Sequence, residues 1–107
     1  MSAPSGPCIV IFHRLASQEY RLALRRYGRR SPGAAQRFYT AVDTVVQRIA
    51  ATPDQGAPFG SRFRWLRLRR FPFLLYYEVL DPSRVKVYAV AHASRRPGYW
   101  LRRRTRP

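Results

Sequence analysis

The sequence predicts an α+β fold of the order β-α-α-β-β-β, a helical hairpin packed on a small mixed, mainly antiparallel sheet. Three observations carry it. A short β-branched run opens the chain, two helical periods follow with almost no linker, and the second half reads as strands separated by turns.

Ile9-Val10-Ile11-Phe12 is apolar at every position, which predicts a strand covered on both faces. From Ala16 the period changes: Ala16, Tyr20, Ala23 and Tyr27 recur at helical spacing while Arg21, Arg25 and Arg26 point elsewhere, so an amphipathic helix is expected to run to Gly28. Ser31-Pro32 reads as an N-cap followed by proline at the first helical position. The seam Ala35, Phe38, Val42, Val45 and Ile49 then marks a second helix lying antiparallel to the first, stopped by Thr52-Pro53. Asp54 to Ser61 reads as a loop. Cationic and aromatic residues alternate from Arg62 to Trp65, and the phase slips at Trp65-Leu66, which predicts a β-bulge. Phe71-Pro72 turns the chain, Phe73 to Leu80 suits a central strand, and Asp81-Pro82-Ser83 is a tight turn. In the last strand Val85, Val87, Ala89 and Ala91 alternate with Lys86, Tyr88, Val90 and His92. The first strand must pair within this sheet, since its backbone groups otherwise lack partners.

One domain is expected over residues 1–107, with a flexible opening (1–7), a core (8–93) and a basic C-terminal segment (94–107). At 46% apolar and 14% aromatic residues the chain holds too many core-formers for a disordered basic tail. Lys and Arg total 21 against 5 Asp and Glu, a formal charge of +16, which selects polyanionic partners, either nucleic acid or an acidic protein. All the cations except Lys86 are arginine, the residue that meets phosphate and carboxylate bidentately. The excess is uneven: residues 62–107 carry 13 basic and 2 acidic side chains, residues 1–61 carry 8 and 3.

Cys8 stands alone, so no internal disulfide forms, and it reads as a small buried hydrophobe. With only His13 and His92 besides, no metal site and no cofactor are expected. Met1 to Pro7 lacks a basic signal-peptide region, and Cys8–Phe12 is too short to span a membrane, so a cytoplasmic protein without membrane contact is expected.

The densest chemistry is the stretch from His92 to Arg104. His92, Arg95, Tyr99 and Trp100 are expected to converge near the sheet's end with Arg62 to Arg70, forming one cationic face in which guanidinium groups hold phosphate and rings stack on bases. Trp100 also suits an edge of the core. Arg102 to Arg106 suit either a solvated tail or a protein contact, and Arg21, Arg25, Arg26, Arg29 and Arg30 a solvated helix face.

These landmarks resemble a known family. Tyr27, Ser31-Pro32-Gly33, Phe38, Ile49, Pro53, Arg69-Arg70-Phe71-Pro72-Phe73, Tyr77, Val87 to His92 and Arg95-Arg96-Pro97-Gly98-Tyr99-Trp100 are similar to the RelE/ParE toxins of type II toxin–antitoxin systems, from about Ile9 to Arg103. The resemblance implies the same fold and a cognate acidic antitoxin wrapped on the basic face. It implies one of two targets. The RelE-like branch cuts mRNA on the ribosome without metal: the 2′-hydroxyl attacks the adjacent phosphate, and the site supplies a base, cations and an acid. Here Arg62 or Arg64 with Arg95 would hold the phosphate, and His92 or Tyr99 would move protons. The ParE-like branch blocks DNA gyrase by binding, with Arg64, Arg69, Arg70, Arg96, Trp100, Arg102, Arg103 and Arg104 as contacts to target, nucleic acid or antitoxin.

Two departures favour the second branch. RelE-like members carry lysines around the second helix and the next strand, and this chain has none there; a related ribonuclease pattern uses a glutamate after that helix and a His-Tyr pair, where this chain has only Asp54 and Ala93. An arginine-rich site without an evident base is a binder more readily than a catalyst.

Overall fold

The computed structural model describes residues 7–105. The expected flexible opening falls largely on residues 1–6 and Arg106 lies at the other end, both outside the described residues. The elements are β1 (Ile9–Phe12), α1 (Arg14–Arg30), α2 (Pro32–Ala51), β2 (Ala57–Phe59), β3 (Phe63–Arg67), β4 (Phe73–Asp81) and β5 (Arg84–His92), with 3₁₀ turns at Pro53–Gln55 and Leu101–Thr105. One five-stranded sheet has the order β1-β5-β4-β3-β2; β1 runs parallel to β5 and every other pair is antiparallel. The predicted α+β class, with its hairpin on a mixed sheet, is the observed one.

Ser31 makes the hairpin. Its extended backbone (φ −171°, ψ 153°) ends α1, its N–H donating to the Tyr27 carbonyl, while its Oγ accepts from the Ala34 N–H at 3.0 Å and caps α2. α1 therefore passes through Gly28, where it was expected to end, and stops at Arg30. The residue before a proline is pushed out of helical geometry, so Pro32 rather than Gly28 sets the boundary. The predicted seam faces the sheet, with Phe38, Val42, Val45 and Ile49 buried.

Four further expectations are corrected. β1 is covered on one face only: Val10 and Phe12 pack on the hairpin, whereas Ile9 is 64% exposed and Ile11 38%. β1 is an edge strand at the rim of the core, so hydrophobic residues on both sides do not imply two covered faces. The loop from Asp54 contains β2, paired with β3 through Ala57↔Trp65 and Phe59↔Phe63. Its Gly56 and Pro58 masked a three-residue strand. No bulge interrupts β3, whose five residues pair with β4 in unbroken register. Phe63 and Trp65 face one side of the sheet and Leu66 and Leu68 the other, so the apparent slip is a strand with apolar cover on both faces. The irregularity lies in β5, where Tyr76 pairs with Ala89 but Tyr77 with Val87. Tyr88 is the extra residue, and beyond it the alternation reverses: Val85, Val87 and Val90 face the helices, Tyr88, Ala89 and Ala91 face away.

The sheet thus separates two cores. The hairpin covers one face over β5 and β1. On the other, Trp100 is fully buried against Phe59, Phe63, Tyr76 and Tyr88, with ring centroids 4.8 to 6.2 Å apart. Trp100 therefore takes the core role open to it in the sequence, and the C-terminal segment is the lid of this second core.

Candidate functional site

β5 outruns its neighbour. β1 pairs only with Arg84 to Val87, so the outer edge of Tyr88 to His92 has no strand beside it. Side chains replace that strand. Glu19 of α1 accepts from the Val90 N–H at 3.0 Å, and Arg103 donates to the Tyr88 carbonyl at 2.9 Å. The same Glu19 carboxylate takes both guanidinium nitrogens of Arg103 at 2.9 Å and the Tyr99 hydroxyl at 2.6 Å. A buried carboxylate with four donors is fully satisfied. Burial first, and then the bond and the charge of Glu19, push the Tyr99 phenol far above its ordinary range.

Beside this clamp lies a cleft of about 360 Å³ whose wall includes Glu19, Arg26, His92, Ser94, Arg95 and Tyr99. His92 closes β5 edge-on to Phe73, and its Nδ1 accepts from the Ser94 N–H at 3.1 Å and lies 2.7 Å from the Ser94 Oγ. The Arg95 guanidinium sits 3.9 Å over the Tyr99 ring. Of the residues proposed from sequence for catalysis, the fold gathers His92, Arg95 and Tyr99, and leaves Arg62 apart. Arg62 stands before β3, its charge acting on Tyr88 across the opposite face.

The other predicted contact residues do not share one face. β3 is two strands from β5, roughly 10 Å away at ordinary strand spacing. Arg64 is held to the Gly56 carbonyl at 2.8 Å, beside the Tyr77 hydroxyl, which donates to the Pro53 carbonyl and accepts from the Gly56 N–H. A Cβ at residue 56 would collide with that hydroxyl. Arg104 pairs at 3.3 Å with the buried Glu78, which also accepts from the Tyr88 hydroxyl. Trp100 is buried, Arg103 is spent on Glu19, and Arg96 and Arg102 are exposed. Arg69 and Arg70 instead join Arg30, Arg37, Arg48 and Arg67 around a groove of about 1100 Å³ between α2 and the β3–β4 turn.

Sequence reasoning missed Glu19, although a signal was present. It lies three residues after Ala16 and four before Ala23, on the buried stripe of α1, and an acid on the core side of a chain with so few acids needs a buried partner. It also missed the groove, because Arg37 and Arg48 meet the β3–β4 turn only after folding. Among the described residues no cluster of three or more His, Cys, Asp or Glu suits a metal ion, and no helix is long and apolar enough to cross a membrane.

A hairpin on one face of a mixed five-stranded sheet, with an arginine-rich surface, places the chain in the RelE/ParE class of fold. A solved structure titled "Chromosomal ParDE TA system from P. aeruginosa" superposes with a TM-score of 0.69 at 18% identity, covering 81% of this chain and 97% of that one. The family model described as "ParE toxin of type II toxin-antitoxin system, parDE" matches residues 10–97. The chain belongs to the ParE toxin family. Among curated proteins none matches it.

Proposed function

We propose that this ParE-family toxin arrests growth by binding DNA gyrase and is neutralised by a cognate acidic antitoxin in the cytoplasm. One observation carries the choice of a binding mechanism: the Tyr99 hydroxyl and the Arg103 guanidinium are both committed to Glu19. A phenol held this way gives up its proton only far above neutral pH, and a paired guanidinium has no free edge for a phosphate. The absence of lysine from α2 and β3 agrees with this reading. Arg95, Arg96 and Arg102 remain exposed for target contact.

A second reading, a metal-independent ribosome-dependent endoribonuclease, is favoured by the single cleft that His92, Arg95 and Tyr99 line. Induced expression separates the two. A gyrase block changes plasmid supercoiling and raises DNA-damage signalling, with no new codon-phased mRNA ends. Codon-phased ends with unchanged supercoiling would replace the gyrase reading by the ribonuclease. His92→Gln and Tyr99→Phe sharpen the result: a nuclease loses its cleavage products, whereas a binder keeps its effect on supercoiling.

A further inference from the structure

We infer that the groove between α2 and the β3–β4 turn is a docking site for an acidic amphipathic helix of a partner protein. The inference rests on the toxin–antitoxin reading for the origin of that helix. The groove exists because the hairpin covers β5 and β1 and stops short of the β3 side of the sheet. Arg37 and Arg48 project from one flank of α2, Arg30 from the end of α1, and Arg67, Arg69 and Arg70 from the facing turn. No Asp or Glu lines it, and none of the six guanidinium groups is in an ion pair among the described residues. Arg48 bonds Gln55 at 3.3 Å and Arg30 lies 5.7 Å over the Tyr27 ring, contacts that leave both charges uncompensated. Six like charges around one depression repel, and an anion relieves them.

The floor decides which anion. Tyr27, Ala41, Val45 and Phe71 line the groove between the arginines, giving an apolar stripe flanked by cations. A phosphate backbone offers that stripe nothing, whereas a helix with one apolar face and flanking carboxylates meets both parts. The dimensions agree: two turns of a helix about 10 Å across fill roughly 900 Å³, against the groove's 1100 Å³. Carboxylates one turn apart lie about 6 Å from each other, within reach of successive arginine forks, and each fork receives a carboxylate bidentately. A second copy of this chain is the wrong partner, since it brings another +16.

The test uses the purified full chain and a fluorescein-labelled, capped 14-residue helical peptide with leucine on one face and glutamate on its flanks. Binding is read by anisotropy near physiological salt. Arg37→Glu with Arg69→Glu should weaken binding at least tenfold, and Arg37→Gln with Arg69→Gln several-fold. Arg21→Glu with Arg25→Glu, on the exposed side of α1, should change it less than twofold. Circular dichroism melts establish that each variant is folded, and the glutamine pair serves if the glutamate pair is not. Three results overturn the inference: groove variants that bind like the parent, an all-glutamate peptide without leucine that binds equally well, or a duplex DNA of 14 base pairs that displaces the peptide at equal concentration. Because the readout is binding by the purified chain, these results stand apart from growth arrest or supercoiling, on which the gyrase reading depends.

Discussion

Glu19 and Arg103, 84 residues apart, meet fork to fork with both nitrogen–oxygen distances at 2.9 Å, and together they close the outer edge of β5. The carboxylate accepts where a neighbouring strand would accept, and the guanidinium donates where it would donate. An open edge is a template for unwanted pairing, and a side-chain pair blunts it without another strand. The same contact ties the C-terminal segment to α1, so the lid over the second core is fastened at a helix on the sheet's other side.

Removing one member should therefore cost more than a surface ion pair does. Glu19→Ala leaves the Arg103 charge, the Tyr99 hydroxyl and the Val90 N–H without their acceptor. The two side chains are 14% and 18% exposed, so the loss is expected at about 3 kcal/mol, the low end for breaking a buried pair. For a chain of this size that lowers Tm by roughly 15 °C. A double-mutant cycle with Arg103→Ala, followed by thermal unfolding, should give coupling of at least about 1 kcal/mol. Strict additivity would show that the two groups do not act as a unit.

Trp100 is the second fastening. Truncating a fully buried indole packed among four aromatic rings should destabilise by about 4 kcal/mol. Urea unfolding of Trp100→Ala measures it. A loss under 1 kcal/mol would mean that the segment after Gly98 is a solvated tail rather than the cover of a core.

The hairpin and the central strands were legible because their signals are local. Ser31-Pro32 states where one helix ends and the next begins, and the α2 seam names the residues that are buried. What escaped the sequence depends on partners distant along the chain. Tyr88 is identical in type to its neighbours, and only its pairing with β4 makes it the bulge that reverses the face of β5. β2 is a strand because Phe63 to Trp65 lie beside it. In the candidate site, the proximity of His92, Arg95 and Tyr99 followed from their closeness in sequence, whereas Glu19 meets Tyr99 across 80 residues. The arginines of β3 were expected to join them, but strand order put β4 between.

The tyrosines set an alkaline limit to stability. Tyr88 is buried on the sheet, its hydroxyl 2.9 Å from a Glu78 oxygen, and burial with that bond raises its pKa from 10.0 to about 12. Tyr99 moves in the same direction through burial and Glu19. Below pH 10 both phenols are protonated whether the chain is folded or not, and their contribution is complete. As pH rises from 10 towards 12 the unfolded chain releases these protons and the folded chain does not, so stability falls across that window. Absorbance at 295 nm should show a tyrosine fraction that ionises only near pH 12 or with unfolding, and Tyr88→Phe should remove part of it. Complete titration near pH 10 without loss of structure would contradict the burial of both hydroxyls.

Arg70 connects the groove to backbone strain. It adopts φ 69° in the turn between β3 and β4, a conformation disfavoured for a residue with a Cβ by about 1–2 kcal/mol. The turn is held around it, with the Leu68 N–H donating to the Phe73 carbonyl at 2.9 Å and the Phe73 N–H to the Phe71 carbonyl at 2.8 Å. Glycine removes the steric cost but widens the unfolded ensemble, so Arg70→Gly should stabilise by a net of roughly 0.5–1 kcal/mol. Arg70→Val should destabilise, since a β-branched residue tolerates this region worst. Urea midpoints at constant m-value measure both changes. The glycine variant should at the same time bind the acidic helical peptide more weakly, having lost one of six groove cations. Higher stability with weaker binding means that the turn keeps an unfavourable residue for its charge; lower stability would mean that the Arg70 side chain, rather than its backbone, dominates the energy of the turn.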